Sequence, residues 1–241
     1  MKKLLLATSV IVTGLIAANG ATVNVTGDIT TSTQWTADNE YILKDVIFVK
    51  NGATLWIEPG TVIRGEMTGN TYPTTALWVS RGGKIYAKGT KEKPIIFTDK
   101  YDDNFPWTDP SLRNDPDNPY STINPHQYME KKGEQWGGLV ICGKAYVTID
   151  NTVDNTGPLV ETEPLAEGLA GDSSGSTKYG GNDDDDNSGV LSYVSVRYGG
   201  YGLAPASEIN GISLYGVGRG TQIKPSCCPD WFSIMLLTPI W

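Results

Sequence analysis

The stretch Ile47-Phe48-Val49-Lys50-Asn51-Gly52-Ala53-Thr54-Leu55-Trp56-Ile57 decides the fold, because the chain writes it again thirty residues on. The second copy is Leu77-Trp78-Val79-Ser80-Arg81-Gly82-Gly83-Lys84-Ile85-Tyr86-Ala87. Few identities are shared, but apolar falls on apolar, aromatic on aromatic and glycine on glycine. In the first copy Ile47, Val49, Ala53, Leu55 and Ile57 lie on one face, and Phe48, Lys50, Thr54 and Trp56 on the other. That period-two alternation predicts a short strand, a glycine bend and a second short strand, each half-buried. A unit this small cannot bury its own apolar face, so it must stack on its neighbour, which is the logic of a solenoid.

Working outward, the 241 residues suffice for one sizeable core. Glycine (28) and proline (14) are frequent, but apolar alternation between them argues against disorder. Residues 1–20 read as a signal peptide: Lys2 and Lys3, an apolar run over 4–18, and small residues at Ala18 and Gly20 before cleavage at Ala21. The run is short for a membrane span and is interrupted by threonine and glycine, so the expectation is export without an integral span in the mature chain. Removing the two lysines takes the net charge from −8 to −10. Such an acidic chain is a poor partner for nucleic acid or anionic lipid. The three cysteines form no disulfide framework: Cys142 lies alone in an apolar strand, and Cys227 and Cys228 are adjacent, which is poor geometry for pairing.

The solenoid domain is expected over 21–221. Residues 22–36 read as an opening strand or a cap over the first coil, and Glu58-Pro59-Gly60-Thr61 as the turn closing the first copy. The repeat pattern disappears over 99–134 and 150–189, two long insertions. The second carries ten carboxylates against one base, Lys178. Val190 to Tyr198 reads as one strand, and no amphipathic helix is expected after residue 20.

Five phrases, in order, resemble a family of secreted bacterial right-handed parallel β-helix proteins. They are Gly52-Ala53-Thr54-Leu55 with Glu58-Pro59-Gly60-Thr61-Val62-Ile63; Arg81-Gly82-Gly83-Lys84-Ile85 running on to Pro94-Ile95-Ile96-Phe97-Thr98; Trp136-Gly137-Gly138-Leu139-Val140-Ile141; Asp186-Asn187-Ser188-Gly189-Val190-Leu191; and Glu208-Ile209-Asn210-Gly211-Ile212-Ser213-Leu214-Tyr215-Gly216-Val217-Gly218. The resemblance covers about 41–221. It implies an all-β, right-handed parallel β-helix with two long loop insertions and an extracellular or cell-surface location. It transfers no catalytic residue, because members are mostly uncharacterised. The segment 222–241 departs from the pattern after about residue 223, and is read as a frame-shifted or truncated end, or as a short cap.

Candidate chemistry is sparse. Gly171-Asp172-Ser173-Ser174-Gly175 matches G-x-S-x-G, but it lies between glycines in a polar insertion and lacks the strand and helix that motif needs. His126 is the only histidine, so it has no histidine partner for zinc. Asp183, Asp184, Asp185 and Asp186 form a candidate calcium site, since calcium takes six to eight oxygens; the competing reading is a solvated turn. Phe48 and Trp78 share a register, as do Trp56 and Tyr86, and all four face away from the core. They are the candidate ligand-binding residues, for a glycan or a cell-surface protein. Against that stands burial of these rings beneath the 99–134 insertion, with its Phe105 and Trp107, which is the favoured expectation. β-Helices also host polysaccharide lyases and glycoside hydrolases. An enzyme would need an outward base such as Arg197, or two carboxylates across a cleft, and spacing shows neither. The sequence therefore favours an exported, non-catalytic binding or structural module.

Overall fold

The computed structural model describes residues 20–66, 74–100, 102, 135–147, 164–169, 174–204, 207–224 and 234–237. Residues 1–19 of the segment read as a signal peptide, together with His126, Ser173, Phe105 and Trp107, lie outside them. Among the described residues every regular element is a strand. In chain order these are β1 (Thr22–Val25), β2 (Thr33–Trp35), β3 (Glu40–Leu43), β4 (Val46–Val49), β5 (Thr54–Ile57), β6 (Val62–Gly65), β7 (Ala76–Val79), β8 (Lys84–Lys88) and β9 (Ile95–Asp99). Then follow β10 (Gly138–Cys142), β11 (Gly189–Ser192), β12 (Val194–Val196), β13 (Tyr201–Ala204), β14 (Ser207–Ile209), β15 (Ile212–Tyr215), β16 (Gln222–Ile223) and β17 (Ile234–Leu237).

The strands form three parallel sheets, the walls of a right-handed parallel β-helix. Wall A is β1-β3-β6-β9-β12, wall B is β4-β7-β10-β15-β17, and wall C is β2-β5-β8-β11-β16. From β3 to β16 the chain visits A, B and C in turn, laying one strand of each successive circuit on each wall. Strands β13 and β14 form a separate antiparallel pair between the wall A and wall B strands of one circuit. The thirty-residue stride of the sequence is the observed register: Ile47 pairs with Leu77, Phe48 with Trp78, Leu55 with Ile85 and Trp56 with Tyr86.

Inward side chains stack in columns through the tube. On wall B the columns are Ile47-Leu77-Leu139-Ile212 and Val49-Val79-Ile141-Leu214. On wall C, Trp35-Ile57-Ala87-Leu191 runs beside Leu55-Ile85. Wall A supplies Tyr41-Ile63-Phe97-Val196. All belong to one buried cluster. Each fully buried aliphatic contributes about 1.5–3 kcal/mol by removal from water, so the columns dominate the stability of the tube.

Two glycines let the columns close. The Leu55-Ile85 column ends at Gly189, whose φ is +124° and whose Cβ would lie 1.8 Å from the Ile85 carbonyl oxygen. Gly65 leaves a gap on wall A in which Trp136 sits: a Cβ there would lie 2.5 Å from the Trp136 Cβ. The fully buried Trp136 ring stacks on Phe97 with centroids 6.4 Å apart, and its Nε1 donates to the Arg197 carbonyl at 2.8 Å. Trp136 thus anchors the chain where it returns from the first insertion.

Two sequence expectations are corrected. Residues 22–36 are not a strand or cap alone but a circuit of their own, with β1 on wall A, Ile29 bridging to Val49 on wall B, and β2 on wall C. The run from Val190 to Tyr198 is two strands on different walls, because Tyr193 takes a left-handed backbone (φ 49°) and turns the corner between them. In the tail, β17 pairs in parallel register with β15, Ile212 beside Ile234, and so extends wall B.

The corner between walls A and B carries a charge ladder, Lys44, Glu66 and Lys100, on successive circuits. Glu66 bonds to both lysines, at 2.6 Å to Lys100. Burial alone would raise the Glu66 pKa, but the two ammonium groups outweigh it and hold the carboxyl below its ordinary value. A depressed folded-state pKa contributes stability above the ordinary carboxylate range that is lost as pH falls through the folded value. The melting temperature of the wild type should therefore drop between about pH 5 and pH 3 more steeply than that of Glu66→Gln, which starts lower at neutral pH. Thermal melts across that range check it. Alternation on β5 predicts a second contrast: Leu55→Ala should cost about 2–5 kcal/mol, whereas Trp56→Ala, one residue on and pointing outward, should cost about 1 kcal/mol or less. Urea unfolding of the two variants measures both.

Candidate functional site

The tube is filled, so ligand contacts must come from the outer faces and corners. On wall C, period two sends Gln34, Trp56, Tyr86 and Val190 outward as one row across four circuits. Trp56 is 44% exposed and Tyr86 half-buried, while Val190 is buried. The two rings form the floor of an open groove of about 620 Å³ shared with Glu58, Pro59 and Lys88. Glu58 is held in place at the edge: its Oε1 accepts from Gln34 Nε2 at 2.6 Å and its Oε2 from the Ala37 amide at 3.2 Å. One circuit on, the Lys88 ammonium lies 5.2 Å from the centre of the Tyr86 ring. The result is an exposed aromatic surface with a fixed acceptor and a cationic donor side by side at the same end, since Glu58 and Lys88 each follow the paired residues Ile57 and Ala87. Such a surface can stack on the apolar face of a sugar ring while hydrogen-bonding its hydroxyls.

Phe48 and Trp78, expected as a second outward ladder, do share register and do point away from the tube. They are sealed, however, with Trp78 fully buried. With Val46, Ala76, Val140, Cys142 and Tyr215 they form a second core on the outside of wall B. Among the described residues the cover comes from Ile209 and from Ala166, Leu169 and Tyr179 of the second insertion; Phe105 and Trp107 of the first lie outside the described residues. The reason is connectivity. The second insertion leaves from the end of β10, a wall B strand, and folds back over that wall. A bridge between Leu165 and Lys178 closes the cover, with the Ala166 amide donating to the Thr177 carbonyl at 2.8 Å. Burial pushes the Cys142 thiol up to about 12, and burial together with the Glu167 charge raises the Tyr215 phenol. This face offers no open surface to a ligand.

The acidic run is a turn at the corner between walls B and C. Asp185 lies 2.9 Å from an Arg219 nitrogen and Asp184 3.9 Å from another, the Asp184 carboxylate also accepts from the Tyr146 amide, and Asp186 accepts from the Ser188 hydroxyl. The Asp183 carboxylate accepts from the Asp185 amide. Arg219, one circuit on, thus relieves the repulsion within the run. Among the described residues no three His, Cys, Asp or Glu side chains converge on one point, here or elsewhere.

Arg197 does point outward from wall A, as the lyase reading required. Its Nε donates to Ser195 Oγ at 3.2 Å, and one guanidinium nitrogen lies 3.7 Å from the buried Asp102 carboxylate. Asp102 also accepts from the Thr98 hydroxyl at 2.6 Å, and its carbonyl from Arg64 at 3.0 Å. Arg64 is in turn paired with Glu40 at 2.6 Å. This is a buried polar network bracing wall A, and the acidic run at 183–186 lies on a different corner. Sequence reading missed Gln34, Glu58 and Lys88 beside the aromatic pair. Lys88 was findable, since period two from Tyr86 puts it on the same face; Glu58 was read only as turn chemistry.

Among the described residues no helix is long and apolar enough to cross a membrane. The sequence pattern of the pectate-lyase-like β-helix domain family matches residues 27–107 and 123–226. No curated protein and no solved structure matches the chain. The match spans most of the chain and coincides with the three-walled tube described above: the chain belongs to the pectate-lyase-like β-helix domain family.

Proposed function

We propose that this protein is an exported, non-catalytic β-helix module that binds a neutral glycan on the outer face of wall C. The observation that carries the reading is the pair of in-register outward rings, Trp56 and Tyr86, left partly exposed while the equivalent rings on wall B are sealed. A protein that invests a buried cover on one aromatic row and none on the next keeps the second row for a partner. The groove presents one acid and one base, Glu58 and Lys88, and so suits a neutral sugar better than a polyanion on a chain of net charge −8. Export is supported by the basic-then-apolar pattern of residues 1–20. Calcium has no part in this reading, since Asp184 and Asp185 already face Arg219.

A second reading, a polysaccharide lyase or hydrolase, draws on the family's name and on outward Arg197. It is the weaker one, because both arginines on the outer face of wall A are committed to Asp102, Ser195 and Glu40.

One experiment separates the two. Purified protein is applied to immobilised neutral glycans and, in parallel, incubated with neutral and acidic polysaccharides while reducing ends and unsaturated products are followed. The binding reading expects retention without product, and a loss of affinity of about tenfold or more in Trp56→Ala. Product formation that survives Trp56→Ala and is lost in Arg197→Lys would establish the enzyme instead.

A further inference from the structure

A second pocket, of about 600 Å³, opens at the corner between walls B and C. Its floor is built by the turns of three successive circuits. Lys50 follows β4, Ser80 and Arg81 follow β7, and Lys144 follows β10, and these turns stack in register: the Ser80 amide donates to the Val49 carbonyl at 3.0 Å, and the Gly52 amide to the Gly82 carbonyl at 3.0 Å. The Lys144 stem reaches across the adjacent circuit, since a Cβ on Gly82 would lie 3.2 Å from Lys144 Cε. The front wall is the 174–180 segment of the second insertion. Arg81 holds it by donating to the Gly180 carbonyl at 2.9 Å.

The chemistry of this lining is one-sided. It contains three cations, Lys50, Arg81 and Lys144, and no carboxylate among the described residues. Asp28, outside the lining, pairs with Lys50 at 3.0 Å. The neighbouring acidic run engages Arg219 through Asp184 and Asp185 and does not line the pocket. Three serines share the lining with the cations, and two of them form a hydrogen-bonded chain with Lys50. Lys50 Nζ donates to Ser176 Oγ at 2.5 Å, and Ser176 Oγ lies 2.6 Å from Ser174 Oγ. Ser80, also in the lining and 5% exposed, has a buried hydroxyl with no hydrogen-bond partner. A buried hydroxyl without a partner beside clustered cations is a polar group waiting for an acceptor.

We propose that this pocket binds a tetrahedral oxyanion, the sulfate or phosphate group of an esterified saccharide or small molecule. Donor placement favours this over a carboxylate. Lys50, Arg81 and Lys144 come from three successive circuits and Ser174 and Ser176 from the facing segment, a spread of directions wider than the single plane of a carboxylate. A tetrahedral group offers oxygens in all of these directions, and charge-assisted bonds to it are the strong class. The volume exceeds that of the bare ion and leaves room for the body that carries it. The site is separate from the aromatic floor on wall C and does not depend on the reading given to that floor.

Isothermal titration of the full chain at fixed ionic strength tests the proposal, with glucose 6-sulfate, glucose 6-phosphate and glucuronate as probes. Binding of at least one ester, stronger than glucuronate, is expected, and which ester binds identifies the source of the oxyanion. Lys144→Gln should weaken it about tenfold, Lys144→Arg should recover most of the loss, and Lys91→Gln, on an exposed turn, should change nothing. The proposal is overturned if neither ester binds, if glucuronate binds as tightly, or if Lys144→Gln binds like the wild type.

Discussion

Every feature of this molecule depends on one constraint, the in-register stacking of circuit upon circuit. The backbone ladder fixes which residues meet, and the inward columns supply the free energy that holds them there. Leu55 lies beside Ile85, and Ile47 beside Leu77, because a slip of one residue would turn a whole column outward. The hydrogen bonds between circuits add direction, but the aliphatic columns make the register worth keeping. Where a column cannot continue, the chain either removes the side chain, as at Gly189, or inserts a large one from elsewhere, as Trp136 does over Gly65.

The same constraint explains where function can reside. With the interior filled, chemistry is confined to outward rows and to corners, and there register turns single residues into arrays. One aromatic per circuit becomes the Trp56-Tyr86 floor, and one polar or basic corner residue per circuit becomes a cationic pocket. The two long insertions modify this template. The second covers wall B with Ala166, Leu169 and Tyr179 and supplies a wall to the pocket, so one segment both hides one surface and completes another.

The repeated part of the structure was legible in the sequence because local alternation and tertiary register obey the same period. Ile47 to Ala87 pair residue by residue on the sequence alone. The corners were less legible. Nothing in the spacing of Val190 to Tyr198 marks Tyr193 as the residue that turns, since a left-handed tyrosine is imposed by the circuit and not by local preference. The part played by Ala166, Leu169 and Tyr179 over Phe48 and Trp78 was not legible, because sequence shows which segments contain aromatics but not which wall a loop folds back on. The acidic run looked like a ligand set in isolation; its partner Arg219 lies a full circuit away. Lys50, Arg81 and Lys144 carry no motif at all, and only the stacking brings them together.

The central claim is the register itself, and cysteine cross-linking reads it directly on the folded chain. Thr54 and Lys84 are paired on adjacent circuits of wall C, whereas Thr54 and Lys88 are offset by four residues along the strand. The account predicts that Thr54→Cys/Lys84→Cys closes an intramolecular disulfide under mild oxidation and that Thr54→Cys/Lys88→Cys does not, since bridging needs Cα atoms within about 7 Å. Efficient closure of the offset pair, with the paired cysteines left as free thiols, would contradict it.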